Sequence, residues 1–422
     1  DPAPNGTASA CVDDVSRPAG VVHWPDVAPG GTTSGAPERC SVSSAPMEPA
    51  YDVIVVGLGV IGASAAWQLA GRGVRVLGID ANVRGHVLGS SHGRSRIIRE
   101  AYYEAVEYVP LVQRAFGQWR DLGVESGLDL LAMTGCLNIG TPGTHVVDGV
   151  IASAQTHGLQ SEVLDASAMR RRFPAFHLPD DQVGVYQPNA GIPNADACVG
   201  ALLDGAASRG ATIRHGVAAT SWRADGDGVA VETPGGTIRA GRLVLAAGPW
   251  SSAVLADLGL PLQAVRQYVT HFEPDDPARF TAPACPAFIW DVPEGEVYGI
   301  PYIPGHGLKV GGHDPGQPCT PETANRTVTE AEVETVRAIF ERCMPGSASR
   351  FVGALTCLYT LTPDRHFIID RDPAHPQVAV AAGFSGHGFK FGPTIGEVLA
   401  DLALEGATRH DIGFLAASRF AS

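Results

Sequence analysis

Three glycines at fixed spacing and one later carboxylate are the first residues of the sequence that could do chemistry. Gly57, Gly59 and Gly62 follow a G-x-G-x-x-G pattern, and Asp80 lies about 20 residues further along the chain. Such glycines let the chain turn tightly and let backbone N–H groups touch a pyrophosphate at a helix N-terminus. A carboxylate at this distance accepts hydrogen bonds from ribose hydroxyls. The four residues therefore predict a dinucleotide site.

The segments around this motif are those that the site requires. Val53–Val56 is rich in β-branched residues and predicts a buried strand, Ala63–Leu69 predicts a helix, and Val74–Ile79 predicts a second strand that Asp80 closes. Two other interpretations remain: a glycine-rich turn without a ligand, and a membrane helix, because Val53–Gly71 carries no charge. The strand-type residues before the glycines argue against the membrane helix.

Three cations occupy places where a charge is costly. Lys390 lies between two phenylalanines, Lys309 lies between apolar residues of a predicted strand, and Arg99 ends a polar loop that begins at Gly89. A buried cation needs a compensating anion. The whole chain is acidic, with a formal net charge of −14, so a site for an anionic ligand must supply its own positive charge. Lys390, Lys309 and Arg99 would supply it.

A second glycine-rich loop follows a strand near the C-terminus. The segment from 378 to 391 reads VAVAAGFSGHGFKF, and its glycines, Gly386 and Gly388 among them, suit close approach to a flat group such as an isoalloxazine ring. The helix that follows would direct its positive end toward that ring. Cys357 precedes this loop in an apolar strand, where a thiol is usually buried and inert.

Composition limits the classes of function. With 45% hydrophobic and 18% charged residues, the chain is typical of a soluble globular protein with a large core. Its acidity disfavours nucleic acid and anionic membrane as partners. The eight cysteines are scattered without metal-ligand spacing, so we expect no metal site and a reducing, cytoplasmic location.

Composition and hydrophobic periodicity divide the chain into segments of different predicted structure. Residues 1–49 are rich in Pro, Gly, Ser and Thr and are expected to be disordered or loosely attached, with Met47 as a candidate natural start. Helices are predicted at Val109–Leu122, Ala195–Arg209 and Thr329–Cys343. Between residues 261 and 346 the apolar residues alternate, which predicts strands with one solvated face.

The predicted fold class is α/β (α+β overall), with a Rossmann-like cofactor domain and a second domain built on a mostly antiparallel sheet. We assign residues 50–138, 191–264 and 346–422 to the cofactor domain and residues 139–190 and 265–345 to the substrate domain.

The sequence resembles the monomeric sarcosine oxidase and N-methyltryptophan oxidase family of amine-oxidising flavoproteins. The resemblance extends from residue 51 to the C-terminus. Five segments carry it, at residues 57–62, 89–99, 297–313, 357–370 and 381–391: GLGVIG, GSSHGRSRIIR, VYGIPYIPGHGLKVGGH, CLYTLTPDRHFIID and AAGFSGHGFKF.

The resemblance implies FAD as cofactor and places its contacts. Gly57, Gly59, Gly62 and Asp80 match the adenylate and pyrophosphate site of the family, and Cys357 matches the cysteine that forms a thioether with the flavin 8α-methyl group. The further residues expected to contact the cofactor are Ser91, His92, Arg96, Gly386 and Gly388. Cationic surroundings would favour the thiolate of Cys357.

The resemblance also places the catalytic residues. Arg99 and Lys390 match the pair that holds the substrate carboxylate, and Lys309 matches the lysine that activates oxygen beside the flavin. Tyr298, His313 and Tyr359 match residues that line the substrate cavity.

Two features depart from the family pattern. The loop that usually reads G-D-T-R has Arg94 in place of the acid, which leaves open whether flavin attachment is complete. Ile289 and Val297, apolar residues beside the expected cavity, leave the substrate size open.

The predicted function is an FAD-dependent oxidase of a small secondary amino acid, a monomer that yields an imine and reduces O2 to H2O2. A cyclic imino acid oxidase, acting on pipecolate or proline-like rings, would use the same carboxylate pair. A nicotinamide-dependent dehydrogenase or imine reductase is the alternative from another class, since Asp80 alone is consistent with it. A non-catalytic binding protein would give no reason for Lys309, Lys390 and Cys357.

Overall fold

The computed structural model of the chain describes residues 51–313 and 316–420. The predicted loose segment, residues 1–49, and the candidate start Met47 lie outside these residues. In the described part of the chain the α-helices are α1 (Val60–Gly71), α2 (Tyr108–Ser126), α3 (His145–His157), α4 (Ala166–Arg172), α5 (Ala195–Ser208), α6 (Ser251–Val254), α7 (Glu330–Cys343) and α8 (Gly392–Leu404).

The strands are numbered in chain order. They are β1 (Tyr51–Val56), β2 (Val76–Asp80), β3 (Ile98–Arg99), β4 (Leu131–Met133), β5 (Cys136–Gly140), β6 (Glu162–Asp165), β7 (Val183–Gln187), β8 (Ala190–Pro193), β9 (Thr212–His215), β10 (Ser221–Asp225), β11 (Gly228–Thr233), β12 (Gly236–Leu245), β13 (Gln263–Glu273), β14 (Ala287–Val292), β15 (Gly295–Ile303), β16 (Gly307–Gly312), β17 (Gln317–Pro318), β18 (Arg350–Leu361), β19 (Ile368–Arg371) and β20 (Val378–Ala382).

The first sheet is the parallel sheet that the glycine motif predicts. Its parallel strands run in the order β9-β2-β1-β12-β20, β19 adds to β20 in the antiparallel sense, and the β10–β11 hairpin pairs with the first half of β12. Helices α1, α2, α5 and α8 cover one face. Val53 and Val55 of β1 pack on that side, while Ile54 and Val56 join the core on the other. A strand buried on both faces explains the continuous apolar run.

The second sheet is mixed and mostly antiparallel, with strand order β17-β13-β16-β15-β14-β5-β7-β6 and β18 paired to β13. Successive residues along its strands point to opposite faces of the sheet, and the two faces have different neighbours. Val297, Leu308 and Val310 enter a core with α7, whereas Tyr298 faces the opposite side, beside α3. The alternation in the sequence therefore separates an apolar face from the face that carries Lys309 and Tyr298.

The predicted fold class is confirmed: helices and sheets are combined in a Rossmann-like unit and a second, mostly antiparallel sheet. A small third sheet, β3-β8-β4, carries Arg99. The domain boundaries given above stay a prediction. No helix within residues 51–313 and 316–420 has both the length and the apolar character needed to cross a membrane.

Candidate active site

The turn between β1 and α1 is shaped by glycines that no other residue can replace. Gly57 has φ +90°, and a Cβ there would lie 2.4 Å from the carbonyl oxygen of Ala246. At Gly62 a Cβ would lie 1.8 Å from the carbonyl oxygen of Gly57. Gly59 begins the helix and offers no side-chain cap. The backbone N–H groups at this end of α1 are therefore the donors that a pyrophosphate would meet.

Asp80 and Ser91 hold this turn in place. The carboxylate of Asp80 accepts hydrogen bonds from the N–H groups of Leu58 and Asn82, both at 2.8 Å. Ser91 Oγ accepts one from Val60 N–H at 3.0 Å. Since a carboxylate can accept about four hydrogen bonds, Asp80 keeps capacity for a ribose. These residues fit the adenosine diphosphate part of a dinucleotide.

The loop that follows is organised around Arg96 and His92. Arg96 donates hydrogen bonds to the carbonyl oxygens of Ser90 and Ser95, each at 2.9 Å, and to that of His92 at 2.5 Å. His92 is buried, and neither of its ring nitrogens has a hydrogen-bond partner. Burial, together with the charges of Arg96 and Lys309, lowers the pKa of His92 to about 3. A buried imidazole without a partner is the kind of group that a bound ligand satisfies.

Lys309 points from β16 toward the same loop. Its ammonium donates to the carbonyl oxygens of Ser95 at 2.9 Å and Gly93 at 3.3 Å, and the residue is only 4% exposed. Burial, followed by the charge of Arg96, lowers the pKa of Lys309 to about 7. The site thus contains a desolvated amine that is partly charged near neutral pH.

Cys357 lies on β18, paired in register with Gln267 of β13, and is partly buried. Burial raises the pKa of its thiol, although Arg96 and Lys309 act in the opposite direction. The cations therefore act on the thiol in the expected direction, but burial has the larger effect.

Packing within the protein explains why glycine is needed at positions 386 and 388. A Cβ on Gly386 would lie 2.3 Å from the ring of Tyr359, and one on Gly388 would lie 2.3 Å from the ring of Phe384. Both glycines thus let aromatic rings pack on the loop. Their contact with a cofactor stays a prediction.

Arg99 and Lys390, far apart in the sequence, meet at one tyrosine. The guanidinium carbon of Arg99 lies 4.2 Å from the ring centre of Tyr102, and Lys390 Nζ lies 3.2 Å from the Tyr102 hydroxyl. Lys390 also donates to the carbonyl oxygen of His387 at 2.9 Å. Both cations are buried, at 1% and 6% exposure. The Tyr102 ring thus fixes two positive charges side by side.

One carboxylate already balances part of this charge. Glu104 accepts two hydrogen bonds from Arg99 Nη2, at 2.8 and 2.7 Å, while Arg99 Nε has no partner. Burial opposes ionisation of Glu104, yet Arg99 and Lys390 outweigh it and lower its pKa to about 2. Burial, and then Arg99, lowers the pKa of Lys390 to about 7. With Lys390 protonated, the cluster carries a net charge of about +1, which one carboxylate ligand would neutralise.

The three residues expected to line the cavity form a chain of contacts. His313 Nδ1 lies 3.3 Å from the Tyr359 hydroxyl. The ring centres of Tyr298 and His313 are 6.3 Å apart, and the two rings are nearly perpendicular. Burial raises the pKa values of both tyrosines, so their hydroxyls are protonated donors near neutral pH. This group is aromatic and carries hydrogen-bond donors, and its place beside a substrate stays a prediction.

The predicted site residues fall into neighbouring groups. One is the cofactor turn with Asp80 and Ser91, and another is the loop group formed by His92, Arg96, Lys309 and Cys357. Sequence reasoning missed Tyr102 and Glu104, which complete the third group around Arg99 and Lys390. The sequence contained a signal for Glu104, because a buried arginine needs a nearby acid and Glu104 lies shortly after Arg99.

A model of the FAD-dependent oxidoreductase family matches residues 52–402. The monomeric sarcosine oxidase of Streptomyces avermitilis is 42% identical over 89% of this chain and 99% of its own length. An N-methyl-L-tryptophan oxidase of Salmonella arizonae is 34% identical over 88% of this chain and 99% of its own length.

Solved structures extend the comparison. The open form of NikD, described as an unusual amino acid oxidase essential for nikkomycin biosynthesis, superposes with a TM-score of 0.76 at 30% identity, over 87% of this chain and 98% of that one. The L-proline dehydrogenase of P. horikoshii, at 22% identity, shares the fold with a TM-score of 0.77 over 89% and 98% of the two chains. Together with the glycine turn and the buried cations, these matches show that the chain is an FAD-dependent oxidoreductase of the family that includes the monomeric sarcosine oxidases and the N-methyltryptophan oxidases.

Proposed function

We propose that this enzyme oxidises a small secondary amino acid, N-methylated or cyclic, at the carbon next to the nitrogen. The observation that carries this proposal is the convergence of Arg99 and Lys390 on Tyr102, with Glu104 as the acid paired to Arg99. That arrangement suits one additional carboxylate. The named relatives, a sarcosine oxidase and an N-methyl-L-tryptophan oxidase, support the N-methyl amino acid as substrate class.

The residues of the chain orient the substrate. Arg99 offers its unpaired Nε and Lys390 offers a point charge, so a carboxylate held by both has little freedom to rotate. Fixing the carboxylate also fixes the adjacent carbon, and this positioning accounts for a large share of the rate. When bound at this site, FAD would supply the electron chemistry, as the acceptor of a hydride equivalent from that carbon and the source of the two electrons that reduce O2 to H2O2.

Lys309 is the group proposed to promote the reaction with oxygen. It is a buried, partly charged amine, held in the loop group by two carbonyl oxygens. A fixed positive charge in a dry site stabilises negative charge that develops on oxygen. Protonated Lys309 can fill that role without giving up its proton.

We further propose that the flavin is attached through Cys357. A thioether between its sulfur and the 8α-methyl carbon would replace one S–H and one C–H bond, and the two protons and two electrons released would reduce O2 to H2O2. Burial raises the pKa of the Cys357 thiol, while Arg96 and Lys309 act toward the thiolate that attachment requires. Intact mass of the denatured protein tests this: an added FAD mass, lost in Cys357→Ser, is expected, and an unmodified chain would contradict it.

The substrate class is tested by measuring peroxide formation with matched compounds. Sarcosine, other N-methyl amino acids, L-pipecolate and L-proline are compared with secondary amines of similar size that lack a carboxylate. We expect oxidation of one of the amino acid groups and a rate at least about 100-fold lower for the neutral amines. Equal oxidation of neutral amines would overturn the proposal. A preference for pipecolate over N-methyl amino acids would identify a cyclic imino acid oxidase instead.

We also propose that the enzyme acts as a monomer, as the name of its monomeric sarcosine oxidase relatives suggests. Light scattering of the purified holoenzyme should give the mass of one chain. The cytoplasmic location stays a prediction from the cysteine pattern.

A further inference from the structure

The wall of the candidate substrate cavity contains a carboxylate with no role in the chemistry described so far. Glu296 lies on β15, two residues before Tyr298. Because side chains two apart on a strand face the same side, Glu296 and Tyr298 share a face of the second sheet. Val297, between them, packs into the opposite core. The strand thus presents an acid next to a residue of the cavity wall.

The contacts of Glu296 leave one of its oxygens available. Its Oε1 accepts a short hydrogen bond from the Tyr103 hydroxyl, and it lies 4.0 Å from His313 Nε2, which is too far for a hydrogen bond. Among residues 51–313 and 316–420, no donor bonds to Oε2. The side chain is 19% exposed. One oxygen is therefore fixed, and the other can accept a bond from a ligand.

Tyr103 connects this carboxylate to the substrate clamp. The guanidinium carbon of Arg99 lies 4.3 Å from the ring centre of Tyr103, whose hydroxyl binds Glu296. A single tyrosine ring thus separates the positive end of the site from a negative end. A substrate whose carboxylate lies at Arg99 would direct groups on its α-carbon along this ring, past Ile289 and Tyr298, which belong to the same apolar cluster.

We propose that Glu296 is a specificity residue that selects secondary amino acids whose side chain ends in a cation or a strong N–H donor. This inference rests on the proposed amino acid oxidase function. The methylene groups of such a side chain would contact the apolar cluster around Tyr103, Ile289 and Tyr298, and the terminal charge would meet Oε2. Arg99 and Lys390 at one end and Glu296 at the other would then match a ligand with a carboxylate at one end and a cation at the other.

The competing explanation is structural: Glu296 serves only to hold Tyr103 under Arg99. This role predicts that removing the charge affects all substrates alike, because the clamp itself would loosen. A selective role predicts a change in the ratio of two substrates that differ only in the terminal charge. The ratio of kcat/KM for a cationic substrate to that for its neutral analogue therefore distinguishes the two explanations.

The test uses the holoenzyme and two probes, Nα-methyl-L-lysine and its neutral analogue Nα-methyl-L-norleucine. We expect the wild-type enzyme to favour the cationic probe in kcat/KM, and Glu296→Gln to lower that preference by roughly 10- to 100-fold, the range for a hydrogen bond to a charged group. Glu294→Gln is the matched control, because it removes a carboxylate two residues away that pairs with Arg342 on the surface. It should leave the ratio unchanged.

Each outcome decides the question. A wild-type enzyme without preference for the cationic probe overturns the inference before any variant is made. A preference for the cationic probe that persists in Glu296→Gln overturns the inference as well. An equal loss of kcat/KM with both probes, in Glu296→Gln and in Tyr103→Phe, also overturns it and identifies the structural role. If neither these probes nor sarcosine and the cyclic substrates are oxidised, the proposed function itself fails, a result distinct from oxidation without charge preference.

Discussion

The proposed cofactor end and the proposed substrate end of the site are built in different ways. At the cofactor end the chain uses backbone atoms and glycines within one strand-turn-helix, closed by Asp80. At the proposed substrate end it uses charged side chains from distant segments, since Arg99 and Lys390 meet at Tyr102 and both act on Glu104. Steric fit controls the first site, and a balance of buried charges controls the second. We therefore expect substitutions at the cofactor end to abolish FAD binding completely. Substitutions at the substrate end should lower the rate or the affinity by a limited factor.

The distribution of lysine sharpens this contrast. Lys309 and Lys390 are the only lysines in the sequence, and the other 28 basic residues are arginine. Arginine stays protonated in proteins, whereas lysine loses its proton readily when it is buried. Both lysines have pKa values lowered to about 7 by burial. Both lysines of the sequence thus belong to the candidate site, where they lie near the permanent cations Arg96 and Arg99.

The largest expected effect is steric and belongs to the cofactor end. In Gly62→Ala the new methyl group would lie 1.8 Å from a backbone oxygen, so the turn cannot keep its shape. We expect complete loss of bound FAD, measured as flavin absorbance per mole of purified protein.

Gly117→Ala in α2 is the control for this substitution. No atom lies within 4 Å of a Cβ at that position, and alanine should stabilise the helix by about 0.5–1 kcal/mol. Normal flavin content in Gly62→Ala would contradict the prediction, because it would show that the turn accommodates a methyl group at this position.

The next effect separates the two lysines. Lys309→Met removes the charge proposed to act on oxygen, so reoxidation of the reduced enzyme by O2 should slow by on the order of 10²–10³-fold, while substrate binding is largely kept. Stopped-flow mixing of reduced enzyme with oxygen measures this rate. A reoxidation rate equal to that of the wild type would remove Lys309 from the account.

Lys390→Met should give the opposite pattern. It removes one of the two cations offered to the substrate carboxylate, and kcat/KM should fall by roughly 10- to 100-fold, mainly through KM, with reoxidation little changed. Steady-state kinetics on the same preparation supply both values. If the two lysine variants show the same defect, the separation into an oxygen site and a carboxylate site is wrong.

The smallest effect is on stability and follows from the lowered pKa of Lys309. The folded-state pKa, about 7, lies below the unfolded value, so the unfolded chain binds more protons between these two pH values. The Lys309 contribution to stability therefore rises with pH above 7 and is absent in Lys309→Met.

Between pH 7 and pH 9 the wild type should gain roughly 1–3 kcal/mol in free energy of unfolding relative to Lys309→Met. Denaturant unfolding of both proteins at the two pH values measures the difference. Parallel pH dependence in the two proteins would mean that Lys309 has the pKa of an exposed lysine.

Sequence reasoning succeeded where the signal is local. The strand, glycine turn, helix and Asp80 could be read directly because each step requires a particular residue type at a particular spacing. The alternation in β14–β16 likewise predicted a sheet with two different faces. Residues whose roles depend on distant partners were harder to interpret. The sequence marked Arg99 and Lys390 only as costly cations, and family resemblance supplied their paired role, whereas Glu104 was missed.

The thiol of Cys357 illustrates the limit of sequence reasoning. Sequence can indicate that cations surround Cys357, but the sign of its pKa shift depends on how much water the folded structure excludes from the thiol. The same holds for Glu296, an ordinary acid in the sequence whose neighbours Tyr103 and His313 come from elsewhere in the chain.

The central claim is that the proposed active site contains two desolvated lysines, Lys390 for the substrate carboxylate and Lys309 for oxygen, and the sequence makes a direct measurement possible. Holoenzyme labelled with ¹³C at lysine Cε should give two side-chain signals, assigned with Lys309→Met and Lys390→Met. The account predicts that both titrate near pH 7, well below the usual value of about 10.4, and that acetate raises the pKa of Lys390 more than that of Lys309. Two lysines that titrate near 10.4 and do not respond to acetate would contradict it.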